Sequence, residues 1–190
     1  MHHPQLNQLL RAEELFNQGN LVEAFEILND ERYFEGLSLQ QKNYFQYLKG
    51  MILFYLNRGE DLVSLGEKIY KEGQKCNNNL QSFDGLYFVI TGLTISGKFE
   101  EAFKLFEKAK LIIKTISNVS KEIITQRKVR LSIIKAFVGL HGDKVDLVEE
   151  SLVWILDSQE KFGKSFEIVW ANLIMASYFA RVKGEFDLCR

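Results

Sequence analysis

Proline is almost missing from this 190-residue chain. Pro4 is the only one, so nothing beyond the first few residues forces a helix to break. Cysteine is nearly as scarce: Cys76 and Cys189 stand alone and far apart, which excludes a disulfide framework and a zinc-type cysteine cluster. No apolar run approaches the roughly 20 residues that cross a bilayer, so no membrane association is expected. Met1-His2-His3-Pro4-Gln5-Leu6 lacks the basic segment and apolar stretch of a secretory signal, and isolated cysteines fit reduced thiols, so the expected location is cytoplasmic. Neither sign of charge is in excess: 24 Lys and Arg oppose 25 Asp and Glu. With no basic block, nucleic acid is not an expected partner. His2, His3 and His141 have no metal-ligand spacing, and neither a metal nor a cofactor is expected.

Large apolar side chains are plentiful. Hydrophobic residues make up 46% of the chain, with 15 Phe and 7 Tyr. Each such side chain stabilises by about 1.5–3 kcal/mol when buried, so a continuous core is within reach. The apolar positions recur at helical spacing: Leu6, Leu9, Leu10 and Phe16; Leu21, Ala24, Phe25 and Leu28; Phe83, Leu86, Tyr87 and Ile90. No alternation of period two is sustained, so even the apolar stretch 86–90 reads as helix. Ser38-Leu39-Gln40-Gln41 is a capping-box pattern that starts a helix running to about Leu56, with Gly59 expected to end it. The return helix fades near Gly73, and Asn77-Asn78-Asn79 is a polar connector.

Glycines punctuate this pattern at positions 19, 59, 97, 142 and 184, spaced by 40, 38, 45 and 42 residues. A period of that size marks a stack of similar units, because a single helical hairpin cannot bury both its apolar faces alone. The hairpins fall at about 5–30, 38–73, 79–117, 120–162 and 165–190, the last incomplete, within one domain spanning 1–190. The chain reaches Arg190 just as a return helix begins, which predicts an uncovered apolar face at Val169, Leu173 and Ala180 and self-association there.

Gly97, Phe99, Ala102, Phe106 and Ala109 give a glycine, aromatic, small, large, small succession. It resembles the second helix of the tetratricopeptide (TPR) repeat. Gly19, Ala24 and Leu28 repeat part of it, and Gly184, Phe186 and Cys189 repeat its start. The hairpins at Gly59 and Gly142 match poorly, the period exceeds the family's ~34 residues, and the inter-repeat prolines are absent. The resemblance implies an all-α fold, a right-handed solenoid of about four and a half antiparallel helical hairpins with elongated helices. It also implies a protein-interaction scaffold that holds a peptide or protein segment in a concave groove lined by the first helix of each pair. Counting back from the turn glycines puts Gln46 and Lys49, then Tyr87, Thr91 and Thr94, then Ser132, then Tyr178 and Arg181 on that lining. An ordinary solvated face accounts equally for those residue types. A regulatory sensor that takes a small ligand between elongated helices is the alternative function.

Catalytic patterns are weak throughout, so no enzyme is expected. Gly92-Leu93-Thr94-Ile95-Ser96-Gly97-Lys98-Phe99 approaches a P-loop, but Phe99 stands where the magnesium-binding hydroxyl belongs, and the stretch joins helix to helix where a P-loop follows a strand. His141 reads as a solvent-facing turn residue, Cys76 as a partly buried helix-end thiol, Glu100-Glu101 as first-turn acids favoured by the helix dipole, and Trp154 and Trp170 as packing residues.

Overall fold

A computed structural model describes residues 4–30, 32, 35–142, 144–151, 155 and 166–183. The expectations placed on Trp154, Gly184, Phe186 and Cys189 lie outside the described residues. The helices are α1 (Pro4–Asn17), α2 (Leu21–Asn29), α3 (Leu39–Tyr55), α4 (Gly59–Lys75), α5 (Asn79–Ile95), α6 (Phe99–Ile112), α7 (Lys121–His141), α8 (residues 145–151) and α9 (Phe166–Tyr178). A 3₁₀ turn, Ile113–Thr115, extends α6, and a π turn, Phe179–Lys183, extends α9. The described residues form no strand. No helix among them is long and apolar enough to cross a membrane.

Local chemistry sets the helix starts. The Ser38 capping box forms: Ser38 Oγ accepts from the Gln41 amide at 3.3 Å, and Gln41 Oε1 accepts from the Ser38 amide at 2.9 Å. Asn78 and Ser120 cap α5 and α7 with one bond each, their side-chain oxygens accepting from the Gln81 and Ile123 amides. α4 and α6 have no side-chain cap but carry Glu60 and Asp61, and Glu100 and Glu101, in their first turns.

The helix ends differ from the expected punctuation. Left-handed backbone occurs at Gly19, Gly36 and Gly97, and also at Asn57, Asn77 and Asn118. At Asn57 the turn closes with Arg58 N donating to Leu53 O at 2.9 Å, and at Gly97 with Lys98 N donating to Leu93 O at 2.8 Å, the six-to-one bond of a Schellman stop. Asn57 therefore ends α3, while Gly59, expected to end it, opens α4. Asparagine substitutes for glycine at such positions because its short polar side chain tolerates the left-handed region. Gly142 caps α7 with φ −101°, an ordinary conformation.

Gly59 has a different duty. A Cβ there would lie 2.5 Å from Ser96 Oγ and 2.8 Å from the Gly92 carbonyl. Gly66 and Gly73 on α4 and Gly85 and Gly92 on α5 are equally crowded. At seven-residue spacing these glycines bring the backbones of two antiparallel helices into direct contact, closer than the usual 8–10 Å or so between helix axes. This is why α4 runs past Gly73 to Lys75, where the sequence predicted it to fade. The closest helix pair is thus α4 with α5, which joins two expected hairpins.

Three apolar clusters support the chain. Leu9, Ala12, Ala24, Leu28, Leu48 and Ile52 fill the first, and α5 is the axis of the second, with Phe83, Leu86 and Ile90 buried. Ala102, Phe106 and Ala109 of α6 are buried against it. The third joins Val129, Ile133 and Ala136 of α7 to Val148 of α8 and Trp170 and Ile174 of α9. α3 packs on α1 and α5, α5 on α7, and α7 on α9, so the odd-numbered helices follow one another side by side. Of the face expected to be uncovered, Leu173 is exposed and Ala180 is half-buried; the Val169 side chain lies outside the described residues.

Candidate functional site

The succession α3, α5, α7 leaves a cleft of about 410 Å³ between the N-terminal halves of the three helices. α3 supplies Gln40, Asn43, Tyr44, Gln46 and Tyr47, α5 supplies Leu80, Gln81, Asp84 and Phe88, and α7 supplies Gln126, Arg127 and Arg130. Side-chain amides dominate the wall. Each amide offers both donors and an acceptor, which is what a peptide main chain requires of a partner.

Asp84, the one charged residue of α5, sits on the cleft wall. A carboxylate there requires cations. Arg127 supplies two bonds, Nε to Oδ1 at 3.0 Å and the terminal guanidinium nitrogen to Oδ2 at 2.7 Å. Arg130 reaches Oδ1 at 3.4 Å, with its side chain only 5% exposed. The Arg130 guanidinium stands 4.4 Å over the Tyr47 ring and 5.7 Å from the Tyr87 ring, so cation–π attraction holds its plane. Gln46 and Gln81 both donate to Glu72 Oε2, at 3.2 and 3.4 Å, and Gln126 accepts from Arg127 at 2.7 Å. Two bonded groups thus hold the Gln46, Gln81 and Gln126 amides in place, one on Glu72 and one on the Asp84–Arg127 pair.

At the cleft mouth the Tyr44 phenol is held above its ordinary range, first by burial of the hydroxyl and then by its hydrogen bond to Glu13. A raised folded-state pKa contributes stability that is fully present below the unfolded value near 10 and is lost as pH rises through the folded value. Alkaline titration followed by phenolate absorbance, compared between the wild type and Tyr44→Phe, is therefore expected to show that the phenol lost in the variant is one that ionises above the ordinary range near 10, and Tyr44→Phe to lose less stability than the wild type as pH rises above 10. Ionisation of Tyr44 near pH 10 in the folded protein would contradict the contact.

Of the residues expected to line a groove, Gln46 is in the cleft. Lys49, one turn on, points to the α2 side, where Nζ donates to Asn29 Oδ1 at 3.2 Å and lies over the Phe25 and Phe45 rings. Tyr87, Thr91 and Thr94 are only 4, 2 and 2% exposed, and none of them lines this cleft. Thr91 Oγ1 donates to Tyr87 O and Thr94 Oγ1 to Ile90 O, both at 2.8 Å, which satisfies the hydroxyls inside α5 itself. The correction has a simple cause: counting back from Gly97 lands on the half of α5 that its neighbours enclose, while the open half is at Gln81 and Asp84. Ser132 is half-buried on α7 beyond the cleft, Tyr178 is buried with its hydroxyl donating to Glu149, and Arg181 is exposed in the π turn. The sequence reading missed the Asp84, Arg127 and Arg130 cluster. One carboxylate in an apolar helix and two arginines three residues apart on another helix were the available signal.

Other expectations resolve plainly. Gly92 to Ile95 is helix with Gly92 against the Gly59 carbonyl, so the near P-loop has no open loop to cradle phosphate. His141 is half-buried: its Nδ1 lies 3.0 Å from Phe137 O, and its ring stands against Phe137. Cys76 is exposed at the end of α4. Among the described residues no group of three His, Cys, Asp or Glu side chains is placed to hold a metal ion. Comparison with known proteins yields no match to a family model, a curated protein or a solved structure.

Proposed function

We propose that the chain is a non-enzymatic interaction module whose α3–α5–α7 cleft holds a peptide segment of a partner protein. The observation that carries this reading is the cleft wall: side-chain amides from three neighbouring helices, those of Gln46, Gln81 and Gln126 held by hydrogen bonds, beside the Tyr44 and Tyr47 rings. Extended peptides are recognised by such main-chain partners, with aromatic faces selecting side chains.

We read the architecture as a TPR-like right-handed solenoid. Its support is the side-by-side order of the odd-numbered helices, the Schellman turns, and the burial of Ala102, Phe106 and Ala109 at the small, large and small positions. The exposed Cys76 thiol fits a reducing compartment, which favours a cytoplasmic protein. A small-ligand sensor is the second reading, favoured by a cleft volume within the roughly 300–1,000 Å³ of small-molecule sites.

Selection from a random peptide library tests the proposal. Wild-type protein is expected to enrich related sequences. The Gln81→Ala/Gln126→Ala variant is expected to lose at least about tenfold in affinity for them, or roughly 1.4 kcal/mol. Lys49→Ala, on the neighbouring face, is expected to retain affinity. No enrichment, or equal binding by the double variant, would remove the cleft as a peptide site.

A further inference from the structure

A second cleft, of about 530 Å³, opens at the other end of the same three helices. Phe54 and Tyr55 of α3, Phe99 of α6, Phe137 and His141 of α7 and Trp170 of α9 border it. The rings form a connected wall: Phe54 to Trp170 at 4.2 Å, Trp170 to Phe137 at 5.0 Å, Phe137 to His141 at 4.5 Å and His141 to Phe99 at 6.4 Å between centroids. Among the described residues no Asp, Glu, Lys or Arg side chain lines it.

Three helix C-termini meet there. α3 ends at Tyr55, α5 at Ile95 and α7 at His141, and the last turns of all three border the cleft. Each helix C-terminus carries about half a negative charge. α4 and α6 begin across the same turns and would bring positive ends, but Glu60, Asp61, Glu100 and Glu101 occupy their first turns. Aromatic faces add a negative quadrupole. Elsewhere the protein caps such faces with its own cations: Arg58 over Phe25, Lys108 over Tyr70, Lys144 over Phe103. Phe54, Phe99 and Phe137 carry no such cap among the described residues. A small hydrated ion would need oxygen ligands from carboxylates, which the wall lacks. A large, weakly hydrated cation needs only the faces.

We infer that this cleft binds an organic ammonium cation with methylated nitrogen. The group comes either free, as a small quaternary amine, or on a methylated lysine side chain. This site is separate from the peptide cleft and does not depend on it.

Calorimetric titration of the full chain with choline, and with its neutral isostere in which carbon replaces the quaternary nitrogen, separates charge from size. Choline is expected to bind about tenfold more tightly, the scale of a desolvated cation–π contact. Phe137→Leu is expected to weaken choline at least fivefold. Tyr55→Leu, at an exposed ring, does the same in a variant whose fold is not at risk. A trimethyllysine peptide and its unmethylated twin form the second arm. Tighter binding of the methylated peptide than of choline assigns the side-chain source, and the reverse assigns the free amine. Equal binding of choline and its neutral isostere, or no binding of any cationic probe, would overturn the inference.

Discussion

Gly85→Ala is expected to lower the stability of this protein by about 3 kcal/mol, the upper part of the range for overpacked cores. The added methyl would lie 2.4 Å from the Tyr70 amide nitrogen, 2.7 Å from Tyr70 Cα and 2.8 Å from the Gly66 carbonyl oxygen. All three are backbone atoms, so no side chain can turn aside, and α4 and α5 must separate along their whole contact. In a chain of this size that loss lowers Tm by roughly 6–12 °C. The sign is informative, because the same substitution in an open helix raises stability by up to about 1 kcal/mol. Gly19→Ala is the comparison: its added methyl meets nothing within 4 Å, and only the left-handed backbone, φ +81°, opposes it, at about 1 kcal/mol. Gly66→Ala/Gly85→Ala is expected to cost less than the two single changes together, since a seam already forced apart accepts the second methyl more easily. Thermal denaturation of the four proteins checks the order, and a Gly85→Ala protein that melts at or above the wild-type temperature would refute the close seam.

Asp84→Ala is the second large effect. Removing the carboxylate takes from Arg127, whose side chain is 15% exposed, two hydrogen bonds and an ion pair, and from Arg130 one ion pair. Breaking a buried pair on one side costs about 3–5 kcal/mol, because the remaining charge stays out of water. The Asp61 pair with Arg58 is exposed on both sides, so Asp61→Ala is expected to cost under about 1 kcal/mol. Urea denaturation of the two variants separates these cases. Equal small losses would mean that Asp84 does not anchor the cleft wall. The change also frees the Arg127 side chain to move, so peptide affinity is expected to fall in any Asp84→Ala protein that remains folded.

Much of the fold was legible in the sequence. Helical spacing of Leu, Phe and Ile, the Ser38 capping box and the glycines at 19 and 97 located most of the described helices to within a few residues. The errors share one origin: glycine has two uses. At positions 19 and 97 it supplies a left-handed turn, whereas at 59, 66, 73, 85 and 92 it removes a side chain so that two backbones can touch. Sequence shows the residue but not the neighbour that decides between them. The end of α3 near Leu56 and the Asn77 connector were legible, but reading Gly59 as the stop of α3 and Gly73 as the fading of α4 hid the seam, and Asn57, which does the turning after α3, carried no signal.

The site was less legible for a related reason. Lining residues were counted from the turn ends of the helices, and α5 is enclosed there by α4, α6 and α7. Its open half lies toward the N-terminus, where Gln81 and Asp84 reach the cleft. Gln46 was found because α3 is less enclosed. The role of Arg127 and Arg130 depended on their meeting Asp84 across more than 40 residues of sequence, a pairing that only the fold reveals.

The central claim is that the α3–α5–α7 cleft holds a peptide through its side-chain amides. The most direct measurement is an NMR titration of the full chain with a library-selected peptide, following the side-chain NH₂ signals of Gln40, Gln46, Gln81 and Gln126. The account predicts saturable shifts at these four amides together, with little change at Asn20 or Gln74 away from the cleft. Shifts confined to residues outside the cleft, with these amides unmoved at saturation, would contradict it.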